Sequence, residues 1–470
     1  MLNHKDPFSH GKSDLQGFMP DECVIKIQDD EAIIQSASLK ALITLIYHPS
    51  IFYDSFYPQL ILTFHNIGMK TTEAQDQIYA FLEAYDSKMS VDGLDVSPES
   101  IIKHTVEFFK VWNNDFTHDF FDDNDANEIR EKVHDIFSLV AKLDLMKKFT
   151  DDISFITHTI DRYYYDVDAE IAKKDYLTKE PDYKKLNIDE ETPFPLKATP
   201  QEMVNHFTYV ELQQFASIER FELLQCSWSK NDKLEKAPHI VELTKHFNDT
   251  SLFINSTILS TKKYAKKRAN IIEAWIKIMD AAYTAKNFNL LFEINGALSN
   301  PAIARLKGTW SLVSSEVLKR YAELCEITQP SQKFKRYRHK LKNCKVEITL
   351  PYVGLWLNSM SLVDNDNSTY VTLPNGEKGI NFHKQRLLYE NFVMVLKRWG
   401  SELTFCLDKT LLNEIQNIKP EYEDQNQLFK LSNECEVTLG NGEPYFPKGD
   451  RDGGKKKNKI PMNQENCNIQ

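Results

Sequence analysis

Apolar residues recur at helical spacing through most of this chain. Leu39, Leu42, Ile43 and Ile46 mark one face of a helix, and Pro49 ends it. Phe56, Leu60, Leu62 and Phe64 mark a second. After a loop at Gly68 to Thr72, a third carries Ile78, Phe81 and Leu82. The stretch Ile101 to Phe121, IIKHTVEFFKVWNNDFTHDFF, continues the pattern with many aromatic residues. Asp161 to Lys197 interrupts it. That segment is charged and tyrosine-rich, and Pro181, Pro193 and Pro195 break any long helix, so it predicts a connection between modules. Tyr163, Tyr164 and Tyr165 within it read as packing aromatics rather than modification targets.

The most informative stretch is Thr349 to Trp399, which predicts a helical hairpin. Thr349 suits an N-cap, and Pro351 sits in the first turn, where a missing N–H is harmless. Tyr352, Val353, Leu355, Trp356, Leu357 and Met360 are too apolar for a solvent-facing helix. The polar run Asp364-Asn365-Asp366-Asn367-Ser368 stops it, and Pro374-Asn375-Gly376 adds a turn. A second helix carries Leu388, Phe392, Val395 and Trp399 along one face.

Composition narrows the class. A chain of 470 residues with 41% apolar and 27% charged residues is ordinary for a globular protein with large cores. With 15 glycines it lacks the punctuation of many short strands, so the expected fold class is all-α. No internal repeat appears at a solenoid period. A formal net charge of -11 argues against a dedicated nucleic-acid binder. The 7 cysteines include no CxxC pair, which fits a reducing cytosol and neither a zinc site nor a disulfide framework. The polar start is no signal peptide, and no apolar run is long enough to span a bilayer.

Three motif-like patterns fail on chemistry. The stretch Gly449 to Lys456 nearly spells a phosphate-binding loop, but lysine replaces the final Ser/Thr and no strand precedes it. Asp364 to Ser368 lacks the glycine and glutamate of a calcium loop. The 13 histidines form no HExxH-like arrangement. No metal or cofactor is expected.

The hairpin residues LPYVGLWLNSM followed by GINFHKQR closely resemble those of Ras-family guanine-nucleotide exchange factors, of the Son of sevenless-like kind. TPQEMVNHFTYVELQQFASIERFELLQCSW, HFNDTSLFI, KNFNLLFEINGALSNPAIARLKGTW and FKRYRHKL resemble the same family in the same order. YPQLILTFHNIG and the later segment with Trp112 resemble its Ras exchanger motif. The resemblance implies a polar lead-in at residues 1–30, a Ras exchanger motif-like helical bundle at 31–160, a linker at 161–197, an all-helical exchange domain at 198–440 and a flexible basic tail at 441–470. It implies a protruding hairpin that opens the nucleotide site of a Ras-family small GTPase, with no bond made or broken and no cofactor.

Residue roles follow the same resemblance. Thr244, Lys245, Asn248, Phe292, Leu298, Ser299 and Phe334 would grip the GTPase, while Tyr352, Trp228, Arg305, Trp310, Asn381 and Arg386 would support the hairpin. Ser361, Leu362, Asp364, Asn365 and Asn367 would approach the metal and phosphate sites. Here the chain departs from the family. Ser361 and Asn365 stand where an apolar residue and a glutamate are usual, and Ser299 where an asparagine is usual. Leu362, and Asp364 or Asp366, could take over by a shift of register. Alternatives are a GTPase-binding scaffold that no longer ejects nucleotide, and a helical adaptor for other protein partners.

The terminal Cys467-Asn468-Ile469-Gln470 fits a prenylation box whose glutamine favours farnesyl, behind the basic cluster Lys455, Lys456, Lys457 and Lys459. One lipid chain binds membranes only marginally, and each lysine near an anionic leaflet adds about 1 kcal/mol. The expected location is the cytosol of a eukaryotic cell, at the membrane surface if Cys467 is modified. Cys467→Ser is expected to move the protein from the membrane to the soluble fraction of eukaryotic cells. An unmodified terminus in mass spectrometry of the native chain would sink the idea.

Overall fold

The computed structural model describes residues 15, 17–28, 31–51, 53–88, 94, 96–120, 125–144, 147–165, 181–189, 191–344, 349–396, 405–422, 424–438 and 444–445. The chain divides into two compact units. The first comprises Met1–Lys174, Leu223–Cys226 and Ser359–Val393, and the second Asp175–Glu222, Ser227–Asn358 and Met394–Gln470. Helices dominate both, so the all-α fold class holds. Trp399, Cys467 and the basic tail lie outside the described residues.

In the first unit the amphipathic segments become the helices Leu39–Ile46, Tyr53–Asn66, Thr71–Lys88, Pro98–Asp115, Ala126–Leu143 and Thr150–Tyr165. Ser38 caps the first and Ser97 the fourth, each accepting a first-turn amide with its hydroxyl. Their apolar faces meet around Trp112, whose ring lies 5.5 Å from Phe108, 5.6 Å from Phe109 and 5.7 Å from Phe120. The indole N–H of Trp112 donates to Asp119 Oδ2 at 2.5 Å, and His65 Nε2 reaches the same oxygen at 2.8 Å. The tryptophan expected in this module is therefore core.

A four-stranded sheet is the part of this unit that helical periodicity did not foresee. Cys23–Gln28, inside the stretch read as a polar lead-in, pairs antiparallel with Glu31–Ala37. The buried positions Ala32 and Ile34 alternate with half-buried Ile33 and Gln35, a period of two too short to stand out in a helical text. Ala37 then pairs with Ile380, so Lys378–Ile380 and Tyr370–Thr372 complete the sheet. Pro374-Asn375-Gly376 turns between those two strands, with Gly376 at φ +84, a left-handed value that glycine adopts without strain.

The second unit is built on the buried helix Ala265–Thr284, flanked by Pro200–Ala216, Pro238–Leu259 and Phe288–Ser299. Thr199 and Glu202 form a capping box at the start of Pro200–Ala216. Two described stretches of the expected linker, residues 181–189 and 191–197, pack within this unit. Asp182–Tyr183 pairs in parallel with Cys406–Leu407, and Phe194 packs its ring 4.9 Å from Phe253 and 6.0 Å from Trp275. Arg268, wholly buried, donates to Thr309 Oγ1 at 3.0 Å and to the carbonyls of Thr261 and Lys262, and lies 3.5 Å from Glu436. Glu436 in turn accepts the amides of Gly308 and Thr309. A buried charge pair needs such additional bonds to offset its desolvation.

Candidate functional site

The first arm of the hairpin is the helix Val353–Asp366. It begins four residues after Thr349, whose buried hydroxyl finds no hydrogen-bond partner among the described residues. Thr349 is thus not the cap. Leu350 is instead stitched beside Lys286–Phe288, accepting the Phe288 amide at 2.9 Å and donating to the Lys286 carbonyl at 3.1 Å. Amides at a helix start have no partner within the helix. Two of them are satisfied from outside. The Tyr352 amide donates to the Tyr337 hydroxyl at 2.8 Å, and the Val353 amide to Asn289 Oδ1 at 3.2 Å.

Asn289 is held by acids. Its side-chain amide donates to Glu211 Oε1 at 2.8 Å and Glu293 Oε1 at 3.0 Å. Asn287 donates to Glu211 as well, and to Thr208 Oγ1 at 3.0 Å. Both glutamates have no exposed surface. Burial pushes the Glu211 carboxyl up to about 7, against the hydrogen bonds from Asn289 and Asn287 that pull it down. Burial and the neighbouring Glu211 carboxylate hold Glu293 well above the usual carboxylate range. Two ionised carboxylates cannot sit side by side in so dry a place, so both groups are held toward the protonated form.

Around this polar centre lies an aromatic cluster. Tyr352 stacks on Phe292 with centroids 4.0 Å apart and planes 5° from parallel, and Phe247 lies 5.4 Å from Tyr352. Phe334, half-buried, lies 5.9 Å from Phe292. Gln332, Lys333 and Phe334 all have positive φ, an uncommon left-handed run for residues other than glycine, just before the basic turns of the Ser331–Lys342 helix.

The other expected grip residues distribute around the same helices. Thr244 is half-buried, Asn248 is exposed, and Lys245 pairs with Asp249 at 2.7 Å. Leu298 is buried, whereas Ser299 is exposed and donates back to the Asn295 carbonyl at 2.6 Å. Of the expected supports, Tyr352 is buried at the hairpin base and Trp228 is half-buried. Arg305 fastens the Gln425–Cys435 helix, donating to the Ser432 and Glu436 carbonyls at 2.9 Å. Trp310 donates to the Ile303 carbonyl at 3.0 Å and stacks on Tyr321.

In the first unit, the far part of the hairpin has its own fastening. Lys384, buried in the helix Phe382–Leu396, donates to the Asp364 carbonyl at 3.0 Å and Thr369 Oγ1 at 3.1 Å, and pairs with Asp364 Oδ1 at 2.8 Å. Asn381 caps that helix by accepting the Lys384 amide at 3.1 Å, and donates to the Ser368 carbonyl at 2.9 Å. Asn367 folds back onto the Val363 carbonyl at 2.9 Å. Arg386 contacts His383 Nδ1 at 2.8 Å. Phe56 lies 5.6 Å from Phe382, and the Asn66 side chain donates to Gln385 at 2.8 Å. Ser361 is half-buried, while Leu362, Asn365 and Asp366 are exposed.

Sequence reading singled out the stretch around Asn287 and Asn289 but missed the role of its polar residues. The available signal was Asn289 and Glu293, four apart among Phe288, Leu290, Leu291 and Phe292, where an apolar helix has no reason to carry them. Among the described residues, no group of His, Cys, Asp or Glu is placed to hold a metal ion, and no helix is long and apolar enough to cross a membrane.

Residues 202–386 match the RasGEF domain. That span takes in Glu211, Asn289, Tyr352 and the hairpin as far as Arg386. Among similar proteins, Ras guanine nucleotide exchange factor P of Dictyostelium discoideum is 26% identical over 320 residues, 60% of this chain and 20% of that protein. Ras-specific guanine nucleotide-releasing factor 2 of Mus musculus is 28% identical over 248 residues, 51% of this chain and 19% of its own. Ras-specific guanine nucleotide-releasing factor 1 of Rattus norvegicus is 31% identical over 188 residues, 40% and 14% respectively. The chain thus spans a small part of the relatives it matches.

Two outcomes test the hairpin base. The raised carboxyls of Glu211 and Glu293 bind protons in the folded chain that they release when unfolded, where the ordinary value is 4.5. Their contribution is fully present below that value and is lost as pH rises above it, for Glu211 through its folded value of about 7. Urea midpoints are therefore expected to fall as pH rises above 4.5, and Glu293→Gln to flatten the fall; an unchanged slope would refute the raised carboxyls. Tyr352→Ala, which deletes a buried stacked ring, is expected to lower the unfolding free energy by about 3–5 kcal/mol in the same titration.

Proposed function

We propose that this protein is a guanine-nucleotide exchange factor for a Ras-like small GTPase, and that its hairpin is the part that opens the nucleotide site. The observation that carries this reading is a coincidence of place. The RasGEF match at 202–386 contains the hairpin together with the network that caps its first helix.

The physical task is severe. A nucleotide held at nanomolar affinity resists release by roughly 12 kcal/mol. An exchange factor must offset most of this with contacts made only to the open GTPase. Linkage then requires bound nucleotide to weaken the factor by the same ratio, so incoming nucleotide expels it. Such a factor needs an apolar grip and a preorganised wedge. Phe292, Phe334 and Tyr352, with Thr244, Lys245, Asn248, Leu298 and Ser299 nearby in sequence or fold, are the proposed grip. The helix Val353–Asp366, capped at its start by Asn289 and Tyr337, is the proposed wedge.

Residues 31–160 take the part of a Ras exchanger motif in this reading. Its support is local: Ala37 pairs with Ile380, Phe56 packs on Phe382, and Asn66 bonds Gln385. A module placed this way braces the hairpin and does no chemistry itself. Ser361 and Asn365 favour a second reading, since neither supplies the apolar bulk or charge expected there. A chain that binds the open GTPase without ejecting nucleotide would be a scaffold.

Release of labelled GDP separates the readings. The full chain is expected to accelerate release from at least one of a panel of Ras, Rap, Ral and Rheb-type GTPases, without hydrolysing nucleotide. Binding to a nucleotide-free member with no acceleration on any of them would favour the scaffold.

A further inference from the structure

We infer that the working contacts of the hairpin are Leu362 and Asp366, one residue along from Ser361 and Asn365, the positions that the family resemblance implies. The inference rests on the exchange-factor reading and deepens it. It starts from Lys384. This lysine is 4% exposed, and its ammonium is directed at Asp364 Oδ1, the Asp364 carbonyl and Thr369 Oγ1. A buried ammonium with three oxygen partners does not release them cheaply. Asp364 is therefore committed to joining the two arms. Its charge is neutralised, and its side of the helix faces the second arm.

Helix geometry places the remaining candidates. Successive residues turn by about 100°, so residues four apart share a face and residues two apart lie on nearly opposite sides. Leu362 and Asp366 share a face, turned well away from Asp364. Leu362 is 43% exposed, an uncovered apolar side chain on an otherwise well-packed arm. Asp366 is exposed and has no hydrogen bond or ion pair among the described residues. Ser361 and Asn365 form the neighbouring face, about 100° around the helix, and offer only a hydroxyl and an amide.

The chemistry of the occupant selects between these faces. A GTPase nucleotide cleft is lined by donors that hold phosphate and by a hydrated magnesium ion. A free carboxylate competes for those donors as a charge-assisted acceptor. An apolar side chain beside it displaces metal-bound water without offering a new ligand. Leu362 with Asp366 supplies both properties; Ser361 with Asn365 supplies neither. Lys384 is then a positioning residue, because it keeps Asp364 out of the cleft and sets which face is presented.

The experiment uses the full chain and a responsive GTPase, with GDP release and binding to the nucleotide-free form measured in parallel. Asp366→Asn and Leu362→Ala are each expected to slow release about tenfold or more, while thermal unfolding stays unchanged because both side chains are exposed. Asp366→Glu should restore most of the rate. Glu377→Gln, which removes a carboxylate from the turn between the short strands, should change nothing. If wild type accelerates release while Asp366→Asn and Leu362→Ala keep its rate, the pair is wrong and the exchange reading stands. The pair is equally overturned if Asn365→Ala costs more than Asp366→Asn. If wild type accelerates release on no GTPase, the exchange reading falls and takes this assignment with it.

Discussion

The hairpin depends on two hydrogen bonds that its own sequence cannot make. Pro351 has no amide to give, and Thr349 is turned inward, so the helix starting at Val353 has no local cap. Its first donors must find acceptors elsewhere or stay unpaired in a buried place, which is costly. Asn289 and Tyr337 provide those acceptors from two other helices. An asparagine used this way must itself be held, and Glu211 and Glu293 hold it. Two buried carboxylates side by side would repel, and burial with that repulsion holds both above the usual carboxylate range.

This arrangement explains why the aromatic cluster sits where it does. A polar network is strong only in a dry surrounding, and the same low dielectric makes any unpaired member expensive. Phe247, Phe292 and Tyr352 are all buried beside the capped turn. Burial of such rings contributes more free energy than any single bond in the network, at about 25 cal/mol per Å² of apolar area. The bonds contribute direction instead. They select one start for the helix, since sliding it by a residue would strand both the Tyr352 and Val353 amides.

Helix identity was legible where a segment carries its own evidence: a 3.6-residue period, a Ser or Thr cap, or a proline at its start or beyond its end. Leu39–Ile46 begins after Ser38 and ends just before Pro49, as the pattern suggests. Features that depend on distant residues were not legible. Cys23–Gln28 reads as polar because only its pairing with Glu31–Ala37 gives it a buried side. Within the connection read at Asp161 to Lys197, nothing local announces the parallel pairing of Asp182–Tyr183 with Cys406–Leu407 or the packing of Phe194 against Phe253. Thr349 looked like a cap because cap propensity is local, whereas the acceptors that replace it lie more than sixty positions away in the case of Asn289. The apolar hairpin base was visible in the text, but its polar supports were not.

The acidic run at the end of the first arm shows the same limit in chemistry. As letters, Asp364, Asn365, Asp366 and Asn367 are four nearly equivalent polar residues. Folding makes them unequal. Asp364 is bound by Lys384, and Asn367 is turned onto the Val363 carbonyl. Asn365 and Asp366 remain exposed, and only the second carries charge. A buried lysine on the opposite arm has thus decided which carboxylate of the run is available, a decision made twenty residues away from it in the chain. Function at such a tip is set less by which residues are present than by which ones the fold has already used.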